Sequence, residues 1–131
     1  MQTFLPLPSY RKSASVLDNR RLGKQRVEAI QIARVLTGLS TGWQHHPAVK
    51  MWRGYEEALR YYMNLAIWTW LDRGYKNTMK IQAVGQIVMP PWMGNEAFHR
   101  SHQSNLIRKD PAFYGPQFPG IPSDLPYVWP A

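Results

Sequence analysis

The stretch from Ala48 to Leu71 constrains the fold most strongly, because its apolar residues recur at the spacing of one helix face. These residues lie three or four positions apart and are Met51, Tyr55, Ala58, Leu59, Tyr62, Leu65, Ala66 and Leu71. Such spacing predicts an amphipathic helix that packs on a core. The Asp72-Arg73-Gly74 sequence that follows supplies a glycine stop. We therefore predict one long helix over residues 48–71.

A second helical region is predicted upstream, between residues 13 and 36. Prolines at positions 6 and 8 keep the opening segment extended, and Ser13 is a candidate N-cap. Thr37-Gly38 closes the region with a glycine C-cap. Gly23 weakens the interior, so the pattern fits either one helix or two. Residues 78–88 form a weaker, possible helical segment.

The segment from Asp110 onward combines many prolines and glycines with aromatic residues. It is too irregular for a helix and too apolar for a free disordered end, so we expect it to wrap around the helices. A chain of 131 residues without cysteine or an internal repeat fits a single domain, residues 1–131. We predict an all-α fold: a compact bundle of two or three main helices with an extended N-terminus and an irregular aromatic C-terminal wrap.

The composition also bears on location and partners. The absence of cysteine fits a reducing compartment, and neither a signal peptide nor an apolar run of roughly 20 residues is visible, so we expect a cytoplasmic protein without a membrane span. Sixteen Lys and Arg against eight Asp and Glu give a net charge of +8, which favours polyanionic partners over a merely solvated basic surface. Six Trp, seven Tyr and four Phe can stack on nucleobases, although aromatic rings also build cores.

One face of the first helical region carries a single acid among cations. At about 100° per residue, Arg20, Arg21, Lys24, Glu28 and Gln31 share one arc. A solvated face with a Lys24–Glu28 pair is one interpretation. However, Val27, Ile30 and Val35 flank the arc, which puts Glu28 near a buried rim where a carboxylate needs a partner or a purpose.

The order MQTF, then LDNRRLGKQRVEA, resembles the opening of the pyrimidine-dimer DNA glycosylase family of the endonuclease V type. Arg21 takes the position of the family's basic residue, and Glu28, seven residues later, that of its catalytic acid. The stretch from His46 to Leu71-Asp72-Arg73-Gly74 resembles the family's second long helix. Phe113-Tyr114-Gly115 is similar to its Tyr-Tyr-Gly segment near the C-terminus.

This resemblance implies a mechanism in which an N-terminal α-amine attacks C1′ of a damaged nucleotide and forms a Schiff base. Glu28 would move protons and stabilise the cationic sugar, and β-elimination would then nick the strand. The family exposes its amine by removing the initiator Met, whereas Met before Gln2 is usually retained. Either Met1 itself carries the amine, one residue earlier than the family's pattern, or this branch has changed its chemistry, and Met1 and Gln2 are the candidate residues. Arg20, Arg21, Lys24 and Arg26 would contact DNA. The implied substrate is double-stranded DNA with a damaged or modified base, with no obligate protein partner.

Two further patches could contact DNA. One is His46, Lys50 and Arg53, beside Trp52, which is equally plausible as core. The other is the donor-rich segment 99–109, from which we select His102, Asn105, Arg108 and Lys109 as candidate DNA contacts; this segment fits equally well a polar loop that holds the tail against the core.

Two other functions stay open. No cofactor or metal is predicted, but Glu96, His99 and His102 have a spacing that leaves a metal-dependent nuclease conceivable. A DNA-binding accessory protein without chemistry is the main rival to the enzyme.

Overall fold

The computed structural model describes residues 1–130, and within that range the chain forms six helices and no strand. The helices are α1 (Tyr10–Ser15), α2 (Asn19–Leu36), α3 (Pro47–Lys50), α4 (Glu56–Asp72), α5 (Glu96–Lys109) and α6 (Pro111–Tyr114). The all-α prediction is confirmed. No helix in the described range is both long enough and apolar enough to cross a membrane.

The first helical region is two helices, and its predicted N-cap is wrong. Ser9 caps α1, because its hydroxyl accepts a hydrogen bond from the Lys12 N–H. Ser13 is instead buried inside α1, where its hydroxyl bonds both the N–H and the carbonyl of Leu7. Asp18 then starts α2 by accepting a hydrogen bond from the Arg21 N–H.

The predicted helix over residues 48–71 is also divided. The short helix α3 ends at Lys50, and Gly54 adopts a left-handed conformation with φ of 88° before α4 begins at Glu56. Most residues predicted to face the core are buried, but Tyr55 is only half-buried and Leu71 is 45% exposed. The three- and four-residue spacing therefore located the core face correctly and missed the break.

Residues 78–88, predicted as a possible helix, form none. This segment has no regular secondary structure, and the Asn64 side chain on α4 donates to the carbonyl of Gln82 and accepts from its N–H. These two bonds satisfy the backbone of Gln82 without a helix.

The core lies between α2 and α4, and Gly23 allows their close approach. A Cβ at Gly23 would lie 3.0 Å from the ring of Trp70. The buried side of α2 includes Leu22, Ala29 and Ile32, as its pattern predicts. Gly23 therefore has a packing role inside the helix rather than marking its end.

The C-terminal segment packs across both parts of the core, as its composition predicts. Tyr114 and Phe118 are buried, and Trp129 and Tyr127 contact the core while remaining partly exposed. One short helix, α6, interrupts the irregular path, since Asp110 caps it and Pro111 occupies its first position.

Candidate active site

The site begins with the N-terminal segment, residues 2–6, which is extended and buried. The buried side chain of Gln25 on α2 holds it. Its carbonyl oxygen accepts from the Phe4 N–H at 2.8 Å and from the hydroxyl of Tyr62, and its amide donates to the Gln2 carbonyl at 2.9 Å. A helix side chain thus supplies the bonds that a neighbouring strand would give, and it fixes the register of the first residues.

Two histidines of α5 clamp the backbone of Leu5. The Leu5 N–H donates to Nδ1 of His102 at 2.9 Å, and Nδ1 of His99 bonds the Leu5 carbonyl at 2.7 Å. The Gly94 N–H donates to Nε2 of His99 at 2.9 Å. Burial lowers the pKa of His102 to about 3 and also lowers the pKa of His99. Both rings are therefore neutral near pH 7, as these bonds require.

Glu28 lies on α2 where the helix contacts the N-terminal segment. Its Oε2 accepts from the Gln2 N–H at 3.1 Å and from the amide of Gln25 at 3.2 Å. The carboxylate is half-buried and borders a cavity of about 460 Å³. The cavity is lined by Met1, Gln2, Phe4, Arg20, Arg21, Lys24, Gln25, Glu28, Lys109 and Tyr127. The chain therefore brings its first two residues and one carboxylate to the same opening, which we call the Glu28 cavity.

Cations surround the Glu28 cavity. Arg20 and Lys24 come from α2 and Lys109 from the end of α5, and all three are exposed with no carboxylate within 4.0 Å in the described chain. Arg21 is half-buried and pairs with Asp18 at 3.2 Å. Burial opposes ionisation of Asp18, but bonds from Tyr114 and Arg21 outweigh it and lower the pKa of this carboxyl. Three cations thus remain free to receive an anion.

His46 lies close to the N-terminus but does not border the Glu28 cavity. Its Nδ1 accepts from the Ala48 N–H at 3.0 Å, and its ring lies edge-on to Trp43 and Trp129. Burial lowers the pKa of His46, and the nearby N-terminal ammonium lowers it further. Lys50 and Arg53 are exposed, but neither borders the Glu28 cavity.

Four of the predicted DNA contacts bond other parts of the chain, namely Arg26, His102, Asn105 and, as described below, Arg108. The Arg26 guanidinium lies 4.5 Å from the ring centre of Trp70, and it donates to Asn77. His102 is fully buried in the Leu5 clamp, and Asn105 is 5% exposed. His102 and Asn105 lie on the buried side of α5, whereas Lys109 at the end of the helix is exposed.

The tail explains the polar residues of α5. The Asn105 amide donates to the Leu125 carbonyl, and the Arg108 guanidinium donates to the carbonyls of Ser123 and Leu125. The alternative interpretation of this segment, that it holds the tail against the core, is the one that these contacts match. Trp52 is likewise core, fully buried, with its indole N–H donating to the hydroxyl of Thr3.

The candidate metal ligands do not come together. Within residues 1–130, no three His, Cys, Asp or Glu side chains form a group that could hold a metal ion. His99 and His102 bond the N-terminal segment, and Glu96 is exposed at the start of α5.

Sequence reasoning missed Gln25, Phe4 and Tyr127 as cavity residues. Gln25 lies three positions before Glu28, so its place on the same helix face was visible, but the buried backbone that it holds was not. Tyr127 comes from the irregular tail, where no periodicity indicates which ring points to the site.

The fold and the site define a small helical protein that presents its N-terminal residues and one carboxylate in a cationic cavity. Residues 1–83 match the model of a family described as pyrimidine dimer DNA glycosylase. This match covers more than half of the 131 residues, so the chain belongs to that family of DNA-repair glycosylases. The resemblance drawn from the sequence is confirmed. Searches of characterised proteins and of solved structures give no significant match.

Proposed function

We propose that this protein is a DNA glycosylase with abasic-site lyase activity, acting on damaged or modified pyrimidines in double-stranded DNA through its N-terminal amine. The observation that carries the proposal is the 3.1 Å hydrogen bond from the Gln2 N–H to Glu28, which holds the start of the chain against a carboxylate inside a cationic cavity. An α-amine suits this role, because a sizeable fraction of it is neutral near pH 7.

The proposed reaction has four stages. The neutral amine attacks C1′, the glycosidic C1′–N bond breaks, and the base leaves with its electron pair and takes up a proton. Opening of the sugar ring gives an imine between the amine and C1′. Loss of a C2′ proton then expels the 3′ phosphate, and water hydrolyses the imine to free the enzyme. Glu28 stabilises the positive charge on the sugar and moves the protons.

Met1 is the proposed nucleophile. Gln2 is the residue whose backbone contacts Glu28, and Met1 lines the same cavity one residue earlier. If Met1 is removed in the cell, the amine of Gln2 takes the place of the N–H that now bonds Glu28. The Met1 amine would reach the sugar from the cavity that Met1 lines, and the Gln2 amine from the atom that now bonds Glu28. A mass measurement of the adduct tells the two apart.

The proposed DNA contacts are the cations around the site. Arg20, Lys24 and Lys109 border the Glu28 cavity and are free to hold phosphates, and Arg21 lies beside them in its pair with Asp18. A second group, His46, Lys50 and Arg53, is proposed to extend the contact along the duplex. A base in the reacting position must leave the stack, and damage reduces the cost of extruding it.

The test is borohydride trapping of the untagged protein on duplexes that carry an abasic site or a cyclobutane pyrimidine dimer. We expect a covalent adduct that maps to the N-terminal peptide. Absence of both adduct and nicking on the two substrates would leave the DNA-binding accessory protein as the better description.

The second arm is Glu28→Gln, with Glu96→Gln as the matched control. The amide can still accept from the Gln2 N–H, so the N-terminal segment stays in place while the charge and the proton acceptor are lost. We expect turnover to fall by about 10²–10⁴-fold with DNA affinity largely kept. Glu96 is exposed on α5 and outside the cavity, so its variant should cleave normally. Equal activity in the two variants would remove Glu28 from the mechanism.

A further inference from the structure

Gln2 carries a buried amide nitrogen that the fold leaves without a partner. The residue is 8% exposed, and its Oε1 accepts a hydrogen bond from the Thr3 N–H at 2.9 Å. Its Nε2 makes no hydrogen bond to any described residue, although the Tyr127 hydroxyl lies nearby. A buried amide nitrogen without an acceptor is unfavourable, and native proteins seldom keep one. The oxygen of the Gln2 side chain is therefore satisfied, whereas its nitrogen is not.

The backbone of Gln2 is fixed on both sides of that side chain. Its N–H donates to Oε2 of Glu28 at 3.1 Å, and its carbonyl accepts from the Gln25 amide at 2.9 Å. In a chain that keeps Met1, this nitrogen belongs to a peptide bond and is not a nucleophile. In a chain that begins at Gln2, the same nitrogen is an α-amine, and the carboxylate beside it can accept its proton.

An N-terminal glutamine contains its own electrophile. The α-amine attacks Cδ of the side-chain amide, so the N–Cδ bond forms and closes a lactam ring. Glu28 takes the proton that the nitrogen gives up and returns it to Nε2, the Cδ–Nε2 bond breaks, and ammonia leaves into the Glu28 cavity, which Gln2 borders. The step needs no oxidant, reductant or second substrate. Its leaving group is the nitrogen that has no partner in the fold.

We propose that Gln2 is a modification site: when Met1 is removed, Glu28 promotes cyclisation of Gln2 to a pyroglutamyl residue, and a retained Met1 prevents it. The lactam nitrogen is acylated and cannot form a Schiff base. The effect on activity rests on the proposed function, whereas the loss of ammonia does not. The active form is then the chain that keeps Met1, and the form that begins at Gln2 inactivates itself.

The experiment compares two forms of the folded protein, one that begins at Met1 and one that begins at Gln2. The second is released from an N-terminal fusion by a protease that leaves no extra residue. Intact mass is followed over time near neutral pH. We expect the form that begins at Gln2 to lose the mass of one ammonia and then to fail in borohydride trapping on an abasic duplex, while the form that begins at Met1 keeps its mass. A form beginning at Gln2 that keeps its ammonia would overturn the proposal.

Two variants of the form that begins at residue 2 test how the ring closes. Gln2→Asn keeps a side-chain amide that is one carbon shorter, so its ring would be strained and its mass should not change. Glu28→Gln keeps an acceptor for the N–H but has no proton acceptor, so its loss of ammonia should be slower by about 10²-fold. Loss at the wild-type rate in Glu28→Gln, or in wild type unfolded by urea, would overturn the role of the folded site.

The outcomes separate this inference from the proposed function. Borohydride trapping of the form that begins at Met1 is run on the same duplex. Failure of this form to trap refutes the amine mechanism, and ammonia loss from the form that begins at Gln2 would still support the modification. Normal trapping of the Met1 form without any ammonia loss from the Gln2 form refutes only the modification.

Discussion

Acid should loosen this protein through the histidines that clamp Leu5. Nδ1 of His102 accepts the Leu5 N–H, so the folded state needs an unprotonated ring. Its pKa is about 3 when folded and about 6.5 when unfolded. The unfolded chain therefore binds a proton that the folded chain does not, and stability is lost as the pH falls below about 6.5.

The size of the effect follows from these two values. Each pH unit between the two pKa values lowers the free energy of unfolding by about 1.4 kcal/mol. Since pH 5 lies about 1.5 pH units below the unfolded pKa, His102 alone removes about 2 kcal/mol between pH 8 and pH 5. Ordinary carboxyl groups titrate mostly below this window. That loss is a large part of the stability of a small domain.

The test is urea unfolding at pH 8 and pH 5, followed by tryptophan fluorescence, for the wild type and His102→Gln. Glutamine can accept the Leu5 N–H but carries no titrating group, so the variant should lose about 2 kcal/mol less across the window. His45→Gln, at an exposed histidine, serves as the control and should follow the wild type. If His102→Gln and wild type lose the same stability between the two pH values, the clamp does not titrate as argued.

Three more predictions concern the site and its support. Gln25→Leu strips the buried N-terminal segment of its partners and should cost roughly 3 kcal/mol in urea unfolding, and a cost below about 1 kcal/mol would contradict the holding role. In DNA titrations, Lys24→Ala should reduce the magnitude of the slope of log affinity against log salt concentration by about 1. Lys12→Ala, at an exposed residue of α1, is the control and should keep the wild-type slope. The same slope for Lys24→Ala and the wild type would remove Lys24 from the phosphate contacts. Tyr114→Phe deletes the hydroxyl that accepts from the Asp18 N–H at 2.9 Å and bonds its carboxylate, and thermal unfolding should show a loss of about 1–2 kcal/mol; an unchanged Tm would show that the cap of α2 does not need it.

Helix periodicity predicted the main elements because the faces of α2 and α4 are set by local spacing. Leu22, Ala29 and Ile32 face the core for that reason. The N-cap of α1 was wrong because the role of Ser13 depends on a contact outside the helix: Ser13 is a plausible cap in the sequence, but the fold uses its hydroxyl to hold Leu7. Gln82, within residues 78–88, likewise bonds the side chain of Asn64, which the local pattern does not contain.

The site was predictable in part. Glu28 and the cations of α2 share a face by spacing alone, so their grouping followed from the sequence. The burial of α5 could not be predicted from the sequence. Polar residues such as His102 and Asn105 resemble surface residues until the backbone groups that they bond are known. A buried extended segment creates a demand for polar side chains inside the protein, and composition cannot reveal that demand.

The N-terminal segment is translated before the side chains that hold it in place. Its partners Gln25, Tyr62 and His102 follow the residues that they bond by 21, 58 and 97 positions. A ribosome therefore releases the segment before its partners and supplies the last of them only when α5 emerges. A partly made copy carries Gln2 and Glu28 without the histidines that hold Leu5. A segment that is translated before its partners is thus among the last to reach its final geometry.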